Sequence, residues 1–496
     1  MPSRSRRMRA VVTCAAMAVV LSLGITPARA QTPPLSQLLP ELILRDITLD
    51  SPPLPAGVPG SPEGFTHVAH FSPLEAHELN NPAVGIVQGF NTQMATQFST
   101  FPLGSSSGGL TYVFDENVGT FRRASTSFGP LFGERALTIG KRKLSAGFNY
   151  QRTSYNTFEG QDLDNGSIKF YLRHEDCCNV VLTPEAPGFA LTLQPNGTRL
   201  NPPLEGDLIE ASLSMEATTN TTALFVNYGI TNRWDVGVAV PIVRVHLDAS
   251  VNARIIRFAT AGAPNVHTFQ IGNPDATRTV RSEGHATGLG DVVLRTKYRF
   301  LTTAGGGLAA GVDLRLPTGD EEQLLGTGGV QAKFLLIASS ERGRVGQHVN
   351  VGFTASQGDV PGTVPGLTAT PVPNEVNYSG GVDIVARPKL TVMGDVVGRT
   401  LRRAGRLDLT TKSFEYVQFP PPTGPGCNIF AGTTCASFSA EEFTPRSGSL
   451  SLLLGTGGVK YNPVGNLLVS GSVLFPLTNA GLRSRLTTIV GVDYAF

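Results

Sequence analysis

The last eleven residues, Leu486 to Phe496, read LTTIVGVDYAF, and they constrain the fold more than any other stretch. Taken by twos back from Phe496, one set is Tyr494, Val492, Val490, Thr488 and Leu486, and the other is Ala495, Asp493, Gly491, Ile489 and Thr487. A period of two is a strand whose faces meet different surroundings, here one apolar and aromatic, the other small or polar. A soluble sandwich would turn the apolar set inward and a membrane barrel would turn it outward, so alternation alone does not separate them. The strand is read as the closing strand of an outer-membrane β-barrel, with Phe496 at the periplasmic rim.

The same alternation recurs upstream. Leu224, Val226 and Tyr228 alternate with small or polar residues. A short turn at 231–233 then leads into Trp234, Val236, Val238 and Val240. In 291–300, Val292, Leu294, Thr296, Tyr298 and Phe300 face one way, and Asp291, Val293, Arg295, Lys297 and Arg299 the other. Wall strands are expected at about 143–155, 207–230, 234–247, 290–301, 307–316, 328–338, 346–356, 376–386, 389–401, 448–461, 466–476 and 485–496. That predicts an all-β, transmembrane antiparallel barrel of about 12–14 strands with an N-terminal plug-like segment; the larger number applies if a hairpin near 108–121 joins the wall. The 207–230 segment exceeds the roughly 9–11 residues of one crossing and is expected to project as a ribbon.

Three features favour the membrane. Short connections (231–233, 302–306, 387–389, 462–465) alternate with long ones (247–289, 317–326, 357–375, 402–446), as periplasmic turns alternate with extracellular loops. Counting strands back from the end puts Tyr228, Trp234, Tyr298, Phe300, Tyr461, Tyr494 and Phe496 at periplasmic strand ends on the lipid parity, an aromatic girdle. Pro241, Pro317 and Pro476 fall near outer strand ends, where a missing ladder donor is tolerated.

Composition agrees. Charged residues are 16% against 41% hydrophobic, with 56 Gly and 35 Pro, and after residue 30 no run nears the ~18 apolar residues of a membrane helix. Only a helix or a closed sheet satisfies every backbone polar group in hydrocarbon, so entry into a membrane would be as a barrel. Residues 1–30 read as a secretory leader: four arginines, an apolar run, then Ala28-Arg29-Ala30. Five of the 40 basic residues and none of the 38 acidic ones lie in it, leaving a slightly negative chain with no basic field for nucleic acid. The expected partners are outer-membrane lipid, the barrel-assembly machinery through the C-terminal strand, and a small apolar or aromatic ligand.

Residues 31–100 are Pro-rich and carry one helix signal, Asn81 as N-cap with Pro82 at the first helical position. Val87, Phe90, Met94 and Phe98 follow at helical spacing. This segment is read as a plug in the barrel mouth or a periplasmic tail with one docked helix, residues 101–142 as a hairpin and lead-in, and 143–496 as the barrel. Of the cysteines beyond the leader, Cys427 and Cys435 in GCNIFAGTTC are the local pair expected to staple an exposed loop.

The stretches YGITNRWDVGVAVPIV (Tyr228–Val243), TGLGDVVLRTKYRFL (Thr287–Leu301), LRLPTGD (Leu314–Asp320), His348-Val349-Asn350 and the terminal Phe496 together resemble outer-membrane barrels of the meta-pathway phenol-degradation family. More distantly, a plug containing Asn81-Pro82-Ala83 is similar to the hatch of long-chain fatty-acid channels. The resemblance implies passive uptake of small hydrophobic or aromatic compounds through a membrane channel; a non-transporting surface protein whose loops bind a partner is the alternative.

No enzyme chemistry, cofactor or metal is expected. Gly104-Ser105-Ser106-Ser107-Gly108 fits G-x-S-x-G but leads into a strand instead of a helix, and reads as a linker. His174-Glu175-Asp176-Cys177-Cys178 are consecutive and cannot all reach one ion from a strand. Candidate lumen-lining residues are Asp291, Arg295, Lys297, Arg299, Asp313, Arg315, Lys333, His348, Asn350, Asp383, Asp395 and Arg399. Counting Lys169, Arg173, Glu210, Glu216, Asp235 and Asp493 with the charged members gives eight basic against eight acidic inward charges. A balanced lumen favours cross-strand pairs over an ion-selective ring, with Arg295, Lys297 and Arg299 as a ladder that could guide an anionic head group.

Overall fold

The computed structural model describes residues 33–50, 82–98, 104–105, 109–115, 120–173, 192–193, 199–200, 207–258, 265, 267–303, 305–362, 364, 367–416, 436–446 and 448–496. The leader, Asn81, His174 to Cys178, and Cys427 and Cys435 lie outside them.

Twelve antiparallel strands close into a ring in chain order. They are β1 (Leu144–Tyr155), β2 (Leu208–Gly229), β3 (Trp234–Ile256), β4 (Val293–Thr303), β5 (Gly306–Arg315), β6 (Val330–Arg342), β7 (Val345–Gln357), β8 (Asn374–Arg387), β9 (Leu390–Arg402), β10 (Leu450–Tyr461), β11 (Leu467–Pro476) and β12 (Thr487–Ala495). The seam is β12 on β1, with Tyr494 opposite Ala146 and Thr487 opposite Thr153. A closed ring leaves no unpaired wall edge, the condition hydrocarbon imposes on a sheet.

Outside, the apolar alternates are exposed: Leu294, Phe334, Leu336, Val349, Val351 and Val490 form a belt around the wall. At the short-turn end stand Tyr228, Trp234, Tyr298, Phe300, Tyr461, Tyr494 and Phe496, from 42% exposed at Trp234 to 59% at Phe496. Tyr494 and Phe496 stack edge to face at 4.7 Å. Exposed aromatics on one rim of an apolar belt are what a membrane interface accepts. The two-residue turn between β6 and β7 places Gly343 at φ 61°, which a glycine adopts without strain.

β2 and β3 run far past the belt. They stay paired from Asp235–Gly229 to Ile256–Leu208, while β3 changes its other partner midway: residues 234–239 pair with β4, and 242–253 pair with the strand Arg278–Leu289. Pro241, which has no N–H to donate, sits at that switch, and its carbonyl accepts from Gly290 N at 2.8 Å. The strand Ile168–Arg173 adds to the far end of β2, completing a four-stranded sheet beyond the wall.

That sheet covers a hydrophobic core. Helix α1 (Leu38–Leu44) and helix α2 (Pro82–Phe98) pack there with Leu213, Met215, Val245 and Leu247 from the ribbon. Phe90 is fully buried at 4.3 Å from Phe158 and 6.1 Å from Phe170. A helix buried on nearly every side must satisfy its polar residues internally. Asn91 Nδ2 donates to the carbonyls of Ser36 (2.9 Å) and Gly362 (2.7 Å), and Gln88 Oε1 accepts from Val364 N (2.7 Å). The helices therefore form a cap at the long-loop end.

The early hairpin, Tyr112–Asp115 with Thr120–Arg123, is a separate two-stranded sheet and does not join the wall. The barrel thus has twelve strands.

Candidate functional site: the lumen between cap and crosspiece

The described residues of the segment 104–142 cross the lumen at the short-turn end, held by inward side chains from most of the ring. Glu134 and Asn350 bond reciprocally: Glu134 N donates to Asn350 Oδ1 (2.7 Å), and Asn350 Nδ2 donates to the Glu134 carbonyl (2.8 Å). Ile139 N donates to Asp235 (3.0 Å), Ala136 N to Ser339 Oγ (2.9 Å) and Phe128 N to Thr391 Oγ1 (3.1 Å). Lys460 Nζ donates to the carbonyls of Phe128 and Pro130, and Ser127 Oγ bonds Asp383. Leu110 and Phe128 cluster with Leu468 and Ala495 beside the seam. A strap whose backbone is satisfied by wall side chains can sit inside a barrel without forming a strand of it.

The charged heart of this contact is Glu134. Its carboxylate lies 3.3 Å from Lys297 Nζ and 3.8 Å from Arg295, and all three side chains are largely shielded from solvent. Lys297 also donates to the Arg135 carbonyl (3.2 Å). His348 sits with Nε2 3.0 Å from Asp395 and Nδ1 3.8 Å from Asp383, but out of hydrogen-bonding alignment. Its ring abuts the Gly133 backbone so closely that any Cβ there would overlap it.

Above the strap and below the cap lies a cavity of about 240 Å³. Its wall has three arcs. Arg295 (β4), Asp313 and Arg315 (β5), Lys333 (β6), Glu375 (β8) and Arg399 (β9) form a charged arc; Leu452 and Leu454 (β10) with Leu474 (β11) and Leu482 form an apolar one. Thr487 (β12), Gln151 and Thr153 (β1), and Thr219 and Thr221 (β2) supply neutral polar groups between them. Phe98 and Tyr155, 4.9 Å apart, contribute from the cap side, and Phe132 and Glu134 from the strap. Within the charged arc Arg295 grips Asp313 through two bonds of 3.0 Å and Arg399 meets Glu375 at 3.3 Å. This is the bidentate fork that suits Arg to a carboxylate.

The candidate lumen residues divide. Arg295, Asp313, Arg315, Lys333, Asn350 and Arg399 line the cavity, and Lys297, His348, Asp383 and Asp395 meet the strap. Asp291 faces inward but holds the β5–β6 loop, accepting from Thr327 N and Oγ1 at 2.9 and 2.8 Å. Arg299 turns to the short turn and donates to the Asn232 carbonyl (3.0 Å). The basic ladder is therefore not one feature: only Arg295 of its three members reaches the cavity.

The count of eight against eight needs correction. Glu210 and Glu216 share the parity of the outward Leu224 and Val226, so both lie on the other face of β2; Glu216 is exposed, and Glu210 pairs beyond the belt with Lys169 (3.2 Å) and Arg254 (3.0 Å). Lys169 leaves the inward set with its partner. The count also missed Glu134, Glu375, Lys460 and Arg483. Lys460 was readable as the inward neighbour of outward Tyr461, Glu375 lies just before the expected strand start at 376, and Glu134 is in an irregular strap with no period to read. Of the plug residues, Pro82 opens α2 and Phe90 is central to the cap. Ser105 N donates to the Leu131 carbonyl, and its Oγ donates to Glu134 (3.4 Å).

No family model and no curated protein matches the chain. Among solved structures, it is similar to an outer membrane channel from Pseudomonas putida F1, at 9% identity over 73% of this chain and 98% of that one, with a TM-score of 0.39. A Pseudomonas aeruginosa FadL homologue aligns at 10% identity over 72% of this chain and 90% of its own, with a TM-score of 0.29. The Ralstonia pickettii toluene transporter TbuX aligns at 10% identity over 72% and 90%, with a TM-score of 0.25.

Proposed function

We propose that the chain is an outer-membrane channel for passive uptake of small, largely apolar compounds, aromatic ones included. The observation that carries this reading is a cavity held inside a membrane-facing ring, between a cap and a strap that each leave the wall intact. A scaffold with no traffic has no need of a chamber walled by Leu452, Leu454 and Leu474 on one side and polar groups on the other. In this reading the long-loop end faces outside, the girdle end faces the periplasm, and the C-terminal strand is what the assembly machinery receives. The kinship with phenol-degradation barrels belongs to the same proposal and rests on the sequence motifs.

A compound would enter among the long loops, dwell in the cavity and leave when the strap shifts. The strap, held by hydrogen bonds and ion pairs, is the element to perturb. Single-channel recording of the full chain in a planar bilayer, beside a Glu134→Gln form, tests this. Larger or more frequent openings in the variant are expected, with faster entry of toluene-sized solutes into proteoliposomes. Protein that inserts correctly yet stays silent and impermeable in both forms would overturn the reading and leave the loops as the working surface.

A further inference from the structure

The cavity is chemically lopsided. Five basic side chains, Arg295, Arg315, Lys333, Arg399 and Arg483, meet it with only three acidic ones, Glu134, Asp313 and Glu375. Each of the three carboxylates already lies against a named cation: Glu134 against Lys297, Asp313 against Arg295, and Glu375 against Arg399. Lys333 is different. It stands opposite Asp313 in the β5–β6 register, yet that carboxylate is taken up by the Arg295 fork, and Lys333 has no hydrogen bond or ion pair among the described residues. An ammonium in a shielded chamber whose neighbouring carboxylates, Asp313 first, are already held by other cations is costly unless a further anion arrives.

Across the ring from Lys333 (β6) stand β10 and β11, which contribute Leu452, Leu454 and Leu474. Lys333 on one side and the β10–β11 leucines on the other select an amphipathic solute, since a neutral apolar body leaves Lys333 unmet and a bare inorganic anion leaves the leucines unused. At 240 Å³ the chamber holds the equivalent of about eight waters, enough for a compact body of roughly ten heavy atoms.

We infer that the cavity is a binding site for a small organic monoanion, a compact aromatic or branched carboxylate whose head meets Lys333 and whose body packs on the β10–β11 leucines. This deepens the uptake reading and rests on it only for direction of travel. Site occupancy is separable from passage.

The test is binding by the intact, refolded chain in detergent, read by titration calorimetry with three probes: benzoate, its neutral near-isostere benzamide, and acetate. Benzoate is expected to bind at least tenfold tighter than either. Lys333→Gln should remove most of the benzoate preference while leaving benzamide unchanged, and Lys333→Arg should restore it; heat-modifiable gel mobility reports whether each variant is a closed barrel. Equal binding of benzoate and benzamide to the native chain overturns the inference, even if Lys333→Gln does not fold. So does undiminished benzoate binding in a folded Lys333→Gln barrel. Benzoate that binds but never crosses would instead remove the uptake reading and leave the site; solute passage without benzoate preference would do the opposite.

Discussion

The two ends of the lumen are closed by opposite chemistries. Beyond the belt, the cap is an apolar core in which α1, α2 and the ribbon bury leucine, isoleucine and phenylalanine. Within the belt, the strap is held by side chains that are almost all polar: Asp235, Lys297, Ser339, Asn350, Asp383, Thr391 and Lys460. The usual placement is inverted, with oil outside the membrane and polar contacts inside it. An apolar core gains its stability from excluded water and resists opening. A polar lock makes bonds that water or a polar solute can replace at small net cost, since a typical internal hydrogen bond nets only about 1 kcal/mol. On the proposed uptake reading, the difference assigns the strap as the gate and the cap as the frame.

That contrast can be broken at graded cost. Phe90→Ala should have the largest effect, about 3–5 kcal/mol lost from the cap, seen as protease cleavage at the long-loop end while the heat-modifiable barrel persists. If the barrel melts with it, the two regions are one cooperative unit. Glu134→Gln strands the Lys297 charge; a broken buried pair costs about 3–5 kcal/mol, here at the lower end because Lys297 keeps the Arg135 carbonyl. Conductance should rise, and Glu134→Gln combined with Lys297→Met should return it toward the native level.

Gly133→Ala drives a methyl into the His348 ring. Overpacking of this kind costs about 1–3 kcal/mol and should loosen the strap without removing any charge, giving frequent short openings. Native-like recordings would mean the strap yields as a body.

The smallest effect concerns the ribbon. Burial raises the Glu210 pKa, but hydrogen bonds from Lys169 and Arg254 outweigh it and hold the carboxyl below its ordinary value of 4.5. A lowered carboxylate stabilises the fold above that value and loses the contribution as the pH falls through its folded pKa. Acid below pH 4.5 should therefore weaken the outer sheet by about 1 kcal/mol or less, measured by hydrogen exchange at Ile168 to Leu172. Glu210→Gln should abolish that pH dependence and leave the strap's exchange unchanged.

The wall was legible because a strand writes its environment in a period of two. Val292 to Phe300 could be assigned face by face, and the wall strands fall where the alternation places them, except that Trp234–Ile256 runs nine residues past its expected end at 247 and Arg278–Leu289 forms a strand within the expected 247–289 loop. The cap was half legible: Phe90, Met94 and Phe98 show a helix, but nothing local says that its polar faces, Asn91 and Gln88 among them, are buried too. The strap was not legible. Glu134 and Ile139 take their partners from strands 96 to 216 residues away, and an irregular backbone carries no period from which to read direction. Lys333 was visible as an inward charge; its lack of a partner is a property of the register with Asp313 and of the Arg295 fork, which only the fold supplies.

The path of the chain through the ring has a further consequence. Phe98 ends a helix of the cap, Gly104 already accepts a bond from Arg295, and Leu144 begins the wall at the opposite rim, beside the seam with the last strand. The strap is thus tethered at both ends, to the folded cap on one side and to the first wall strand on the other. The strap can slide or sag but cannot leave. Whatever passes does so around a permanent resident, so the passage widens by a shift of that resident and never by its departure.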